Sequence, residues 1–200
     1  PNYDGHVFAA AALARGAAAV MLHRRCEALD GDAPVLMVKD TLDALRDLAA
    51  EARRRSPARI IAVTGSVGKT GTKEALRRVF ADQSVTYASE GSLNNHWGLP
   101  LSLARMSRGA AFAIFEMAMN HAGEIAPLSR LARPHVAVIT NVESVHSAYF
   151  DSIEDIADAK AEVFAGIEPG GVAVLNRDNG SFARLSAAAA ERGVETVIDF

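Results

Sequence analysis

Lys69 and Thr70 close the glycine-bracketed stretch TGSVGKT (64–70), which follows the apolar run ARIIAV and leads into the helix-like KEALRRVFA. A tight turn between a β-branched strand and a helix exposes backbone N–H groups where the helix dipole is positive, and this makes an anion site. In such a loop the backbone of Thr64, Gly65, Ser66, Val67 and Gly68 wraps a phosphate. Lys69 then reaches the β/γ-phosphates and the Thr70 hydroxyl ligates Mg2+. The general pattern G-x-x-x-x-G-K-[ST] has a glycine where this chain has Val63. An ordinary glycine-rich strand-to-helix turn is the alternative. Strand, glycines, Lys-Thr and helix nevertheless fall in the order that nucleotide binding needs.

Other residues could act with that loop. Glu116 interrupts the apolar run FAIFEMAM, between Phe115 and Met117. A carboxylate buried there without a partner would cost several kcal/mol, a problem that Mg2+ or a cation removes. A strand-end carboxylate bonded to a neighbouring helix would remove it too. His146 follows the strand-like HVAVITN at a short distance, where a ligand and a structural histidine are equally reasonable. Lys160 stands four residues after Ile156 and four before Phe164, on the apolar face of IEDIADAKAEVF. Burial would lower its pKa and leave a nucleophilic amine. On the residues alone, a snorkelling lysine with its head in water is favoured.

The elements that must hold these groups alternate between strand and helix. AAAVML (17–22) and PVLMV (34–38) read as strands, and TLDALRDLAAEARRR as a helix capped by Asp40. The triple arginine at its end, Arg53 to Arg55, reads as a solvated helix terminus, and Ser56-Pro57 as a domain boundary. Beyond it, ARIIAVTG, SVTYAS, FAIFEMAM, HVAVITN, GVAVLN and VETVID are strand-like, with helical segments between them. One of these is IEDIADAKAEVFAGI, read as a single helix; another is EIAPLSRLA, whose Pro127 suits a first turn. Continuously apolar strands alternating with helices imply an α/β fold, a parallel sheet with helices on both faces. Ligands of such sheets bind beyond the carboxyl ends of the strands, where TGSVGKT, Glu116 with Asn120-His121, the VESVH segment and Arg177-Asp178-Asn179 would meet.

Composition narrows the function. With 200 residues, 50% hydrophobic and a net charge of -3, the chain can bury a core and has no general attraction for nucleic acid or an anionic membrane. Its single cysteine, Cys26, cannot form an intrachain disulfide, which suits a reducing cytoplasm. No apolar run has the length of a membrane span, and no signal peptide is legible. A GTPase-like switch would need D-x-x-G and N-K-x-D, and the chain has neither.

Taken together, these stretches resemble the Mur ligase family, the ATP-dependent amide-bond-forming enzymes of peptidoglycan synthesis. TGSVGKT is similar to the family's ATP loop, which also lacks the first glycine of the general pattern. SLNNHWGLPLSL, FEMAMNHAGEI, TNVESVH and ADAKAEVF are similar, in order and spacing, to the branch that joins D-Ala-D-Ala to UDP-N-acetylmuramoyl-tripeptide. The resemblance implies ATP and Mg2+ as cofactors, with Lys69 on the phosphates and Thr70 and Glu116 on one Mg2+. It further implies His146 on a second Mg2+ and Lys160 as a carbamylated lysine. Asn94 and Asn95 would lie near the muramoyl peptide, with Asp4 and His6 of YDGHVF in a uridine-nucleotide domain. Residues 1–56 would end that domain and 57–200 begin the central ATP-binding domain. More chain is then expected beyond both ends, the segment alone is expected to be inactive, and the whole enzyme is expected to be monomeric. Another Mur-type ligase adding one amino acid, or a non-catalytic nucleotide-binding remnant, stays open.

Overall fold

The computed structural model describes residues 4–144 and 149–200. The chain forms two compact units, residues 1–47 and 48–200. In the first, a 3-10 turn at Gly5–Phe8 leads into α1 (Ala9–Ala14), β1 (Val20–Leu22) and β2 (Val35–Met37). The two short strands pair in parallel, Val20 opposite Val35. The division between the units falls inside α2 (Thr41–Arg54). Asp40 caps this helix as its sequence requires, its Oδ1 accepting from the N–H groups of Leu42 and Asp43, both at 2.8 Å.

The second unit runs β3 (Arg59–Thr64), α3 (Lys69–Ala81), β4 (Thr86–Ala88), α4 (Gly98–Arg105), β5 (Phe112–Glu116), α5 (Ile125–Ala132) and β6 (Val136–Ile139). It continues through α6 (Ile153–Ala161), β7 (Val172–Leu175), α7 (Phe182–Glu191) and β8 (Thr196–Asp199). The strands form one parallel sheet in the order β4-β5-β3-β6-β7-β8. Both faces are apolar because side chains alternate along β3. Ile60 and Ala62 join Leu99, Leu103, Ile125, Leu128 and Phe164 in one core, while Ile61 and Val63 pack with Leu76 and Phe80 of α3 in the other. The chain builds outward from β3 to β4, returns to β5, and then crosses to β6 on the far side. This reversal makes a crevice beyond the carboxyl ends of β5, β3 and β6, the place where such sheets bind ligands.

Three local expectations are corrected. The strand expected over FAIFEMAM stops at Glu116. Its next residue, Met117, makes one more bond to the Val63 carbonyl before the chain turns away toward Asn94. The helix expected over 153–167 ends at Ala161 and tightens into a 3-10 segment, Glu162–Gly166. That segment wraps Ser129 of α5: Ser129 Oγ donates to the Val163 carbonyl at 2.5 Å and accepts from the Gly166 N–H at 3.0 Å. A Cβ on Gly166 would stand 2.2 Å from the Ser129 carbonyl oxygen, so only glycine permits the approach. Finally, Arg53 is not part of a solvated helix end. It is buried and donates to the carbonyls of Ala132 and Arg133 at 2.7 and 2.9 Å, satisfying orphan acceptors at the end of α5.

Candidate active site

The loop after β3 is shaped by two left-handed glycines. Gly65 has φ 145°, and a Cβ there would meet Thr140 Oγ1 at 1.9 Å; Gly68 has φ 83° and opens α3. Thr140, just beyond β6, closes the turn from outside by donating from its hydroxyl to the Val67 carbonyl at 2.6 Å. Asn141 accepts from the Ser66 N–H through its carbonyl and from the Val67 N–H through its side chain, both at 3.0 Å. Ser66 Oγ donates to the Glu143 carbonyl and accepts from the Glu143 N–H, at 3.0 and 2.9 Å. From the other side, Asn176 and Asn179 donate to the carbonyls of Thr140 and Val142. The loop is thus held in shape by the protein itself, and the first N–H groups of α3 keep no intrahelical acceptor. Thr64 Oγ1 is buried at the mouth of the loop without a partner among the described residues.

Lys69 folds back over the loop, donating to the carbonyls of Gly65 and Ser66 at 2.8 and 3.2 Å. Burial lowers its pKa, and the Glu116 carboxylate works in the opposite direction. Glu116 itself is 2% exposed and fully partnered. Oε2 accepts from the Thr70 hydroxyl and Oε1 from Asn94 Nδ2, each at 2.8 Å, while the backbone N–H donates to Ser89 Oγ at 3.3 Å. Lys160 is 2% exposed, so the snorkelling reading is overturned. Burial, reinforced by the charge of Lys69, lowers its pKa from 10.5 to about 8.

The structure therefore bonds Thr70, Glu116 and Asn94 into one group, with Lys69 close enough to feel the Glu116 charge and Lys160 close enough to feel that of Lys69. Asn95 is placed differently. Its side-chain oxygen caps α4, accepting from Trp97 and Gly98 N–H at 3.1 and 2.9 Å. His146 lies outside the described residues. His121 is exposed and rests edge-on against Tyr149, with ring centroids 4.7 Å apart. In the first unit, Asp4 caps the 3-10 turn and bonds His6 Nδ1 at 2.6 Å, with Arg24 on its other oxygen. His6 is buried, and its Nε2 has no partner among the described residues. Sequence reasoning missed Thr140, Ser89 and Lys73. Only Lys73 left a trace, since Lys73, Leu76 and Phe80 share the helical spacing of the face that α3 turns to the sheet.

The parallel sheet, with this loop and carboxylate at its reversal point, has the architecture of a Mur ligase middle domain. The Mur ligase middle domain family matches residues 63–200. The UDP-N-acetylmuramoyl-tripeptide–D-alanyl-D-alanine ligase of Rickettsia prowazekii is 36% identical over 199 residues, covering 100% of this chain and 44% of its own. A crystal structure of MurF from Acinetobacter baumannii superposes with a TM-score of 0.86 at 33% identity, over 100% of this chain and 43% of that one. MurF ligase from Thermotoga maritima, solved in complex with ADP, gives 0.80 at 30% identity, over 98% and 44%. This chain belongs to the Mur ligase family. It spans less than half the length of these relatives.

Proposed function

We propose that this chain is part of an ATP-dependent ligase that joins D-Ala-D-Ala to UDP-N-acetylmuramoyl-tripeptide. The observation that carries the reading is the Thr70–Glu116–Asn94 group, set beside a phosphate-shaped loop in a chain similar throughout its length to such ligases. A carboxylate is a poor electrophile because its leaving group would be oxide. Transfer of the ATP γ-phosphoryl group to the terminal carboxylate of the tripeptide gives an acyl phosphate; the amine of D-Ala-D-Ala then attacks and phosphate leaves.

Each residue has a place in that scheme. The loop N–H groups and Lys69, swung from its own loop carbonyls, bind the β/γ-phosphates. Thr70 and Glu116 would hold Mg2+, and the donor set fits, because a hard cation takes oxygen ligands and keeps few carboxylates. Bound Mg2+ supplies the positive charge that offsets repulsion between triphosphate and carboxylate, roughly 4 kcal/mol per pair of unit charges at ~4 Å and an effective dielectric of 20. Asn94 orients the Glu116 carboxylate from the substrate side. Lys160, neutral in part near pH 8, could add CO2 and release one proton to give a carbamate; that carbamate and His146 would hold a second Mg2+, which would supply further positive charge. In this reading residues 1–56, with Asp4 and His6, end a uridine-nucleotide domain, and residues 57–200 begin the ATP-binding domain. The whole enzyme is a cytoplasmic monomer; among the described residues no helix is long and apolar enough to cross a membrane.

The test is phosphate release by the full-length protein with UDP-muramoyl-tripeptide, D-Ala-D-Ala, ATP and Mg2+. Turnover that requires the dipeptide is expected. Turnover with a single amino acid in its place, or none with either, overturns the assignment.

A further inference from the structure

Lys73 is among the largest fully buried side chains of the molecule, at 1% exposure, and the scheme above gives it no task. It lies one turn along α3 from Thr70, on the side facing the sheet. Its Nζ donates to the Ser89 carbonyl at 2.7 Å and approaches Glu74 Oε1 at 3.2 Å. Leu76 and Phe80 continue the same face with apolar side chains, so a buried amine there is chemically out of place. A core position normally avoids such a group unless acceptors replace its water.

What the amine holds explains why it is there. Ser89 directly follows the short strand β4, and its N–H bonds the Ile114 carbonyl at 3.0 Å. Its hydroxyl accepts from the Glu116 N–H. Five residues on, Asn94 donates its side chain to Glu116 Oε1 and its carbonyl accepts from the Ala118 N–H at 2.9 Å. The turn from Ser89 to Asn94 thus grips Glu116 at both its backbone and its carboxylate, and Lys73 fastens that turn to the helix that carries Thr70. We propose that Lys73 is a positioning residue: through Ser89 it fixes the carboxylate of Glu116 relative to the Thr70 hydroxyl, and so sets divalent-metal affinity. This rests on the reading of Thr70 and Glu116 as the metal-holding pair.

The experiment measures Mn2+ affinity by electron paramagnetic resonance in the ADP-bound full-length protein, alongside the Mg2+ concentration that half-saturates turnover. Lys73→Met and Ser89→Ala are each expected to weaken Mn2+ about tenfold or more, the usual scale for groups that orient a metal ligand. The Mg2+ requirement should rise in parallel, with KM for the dipeptide unchanged. Ser89→Ala removes only the hydroxyl that bonds the Glu116 N–H and keeps the carbonyl that Lys73 holds, so parental Mn2+ affinity in it breaks the proposed route from Lys73 to Glu116 even if Lys73→Met fails to fold. Glu116→Gln is the control. If it leaves Mn2+ affinity intact, the site reading and this inference fall together. If Glu116→Gln weakens Mn2+ while Ser89→Ala, and any folded Lys73→Met, bind it as the parent does, Lys73 is a structural lysine and the inference alone is wrong.

Discussion

Lys73 on α3 and Lys160 on α6 are both buried, at 1% and 2% exposure, but what surrounds them differs in sign. Lys73 meets oxygen: the Ser89 carbonyl and the Glu74 carboxylate. Lys160 meets repulsion, since the charge acting on it is that of Lys69, and burial together with that charge brings its pKa to about 8. Acceptors replace the lost water in the first case, so the group can serve as an anchor. In the second the neutral amine becomes accessible at a lower pH than for an ordinary lysine, and a neutral amine is a nucleophile. Burial alone therefore does not mark a reactive lysine; the sign of its neighbours does.

The largest expected effect comes from removing the cation that acts on Lys160. Lys69→Ala should lower kcat of the full-length enzyme by about 10²–10³-fold, the scale for one group that stabilises charge in the transition state. A loss below tenfold would end its assignment to the phosphates. The same change should move the titration of Lys160 upward from about 8, because it removes the like charge. Competitive amine labelling across pH reads that shift, and an unchanged midpoint would mean the two lysines do not interact.

Next comes Lys160→Ala. Loss of an anionic ligand should cost about 10–100-fold in activity. Added short carboxylates should partly restore it by filling the vacated position, whereas Lys160→Arg should not be rescued, since the guanidinium fills the space and stays cationic. Near-parental activity of Lys160→Ala at low bicarbonate would sink the carbamate reading.

Much of this arrangement was legible in the residues. The four strands whose ends carry polar residues, β5, β3, β6 and β7, are consecutive neighbours in the sheet, as the alternation of apolar runs and helices suggested. Pattern reading finds elements whose burial is regular, and β5, β3 and β6 are buried almost without a break. It failed where one side chain decides the outcome. Arg53 was read as a solvated end because its partners, the carbonyls at the end of α5, are remote in sequence. Lys160 was read as snorkelling because helical spacing gives the face and not the depth of cover. Thr140 left no signal at all, because its task exists only when β6 lies beside β3. Asn94 and Asn95 are adjacent and alike, yet one holds Glu116 and the other caps α4.

A stability measurement sharpens the contrast from the side of Lys160. Its folded pKa of about 8 lies below the ordinary 10.5, so the unfolded chain binds more protons between these values. Stability contributed through this group therefore rises with pH across that window, and its penalty is complete below it. Lys160→Met, which cannot protonate, should gain up to about 3 kcal/mol over the parent at pH 7. The gain should shrink as pH climbs from 8 and vanish near 10.5. Denaturant midpoints of the two proteins across this range check it. A difference independent of pH would show that the lysine is not buried as a destabilised cation.

The smallest effect tests which of its two acceptors anchors Lys73. Glu74 is 46% exposed and also bonds Arg77 at 2.8 Å, so water screens its attraction for Lys73. The bond to Arg77 is the main cause that holds its pKa below the ordinary 4.5, followed by that to Lys73. This contribution is present above pH 4.5 and is lost as pH falls through the lower folded value. Exposed pairs of this kind contribute about 0.2–1 kcal/mol, whereas a buried bond from a charged donor to a carbonyl contributes about 1.5–3. Glu74→Gln should accordingly lower stability by less than about 1 kcal/mol at pH 7, and by nothing measurable once both proteins are acidified. Lys73→Met should cost more than Glu74→Gln at neutral pH, since it also strands the Ser89 carbonyl. Equal losses from the two variants would make the ion pair the anchor, and the contrast between an oxygen-held and a charge-repelled lysine would then have to be redrawn around Glu74.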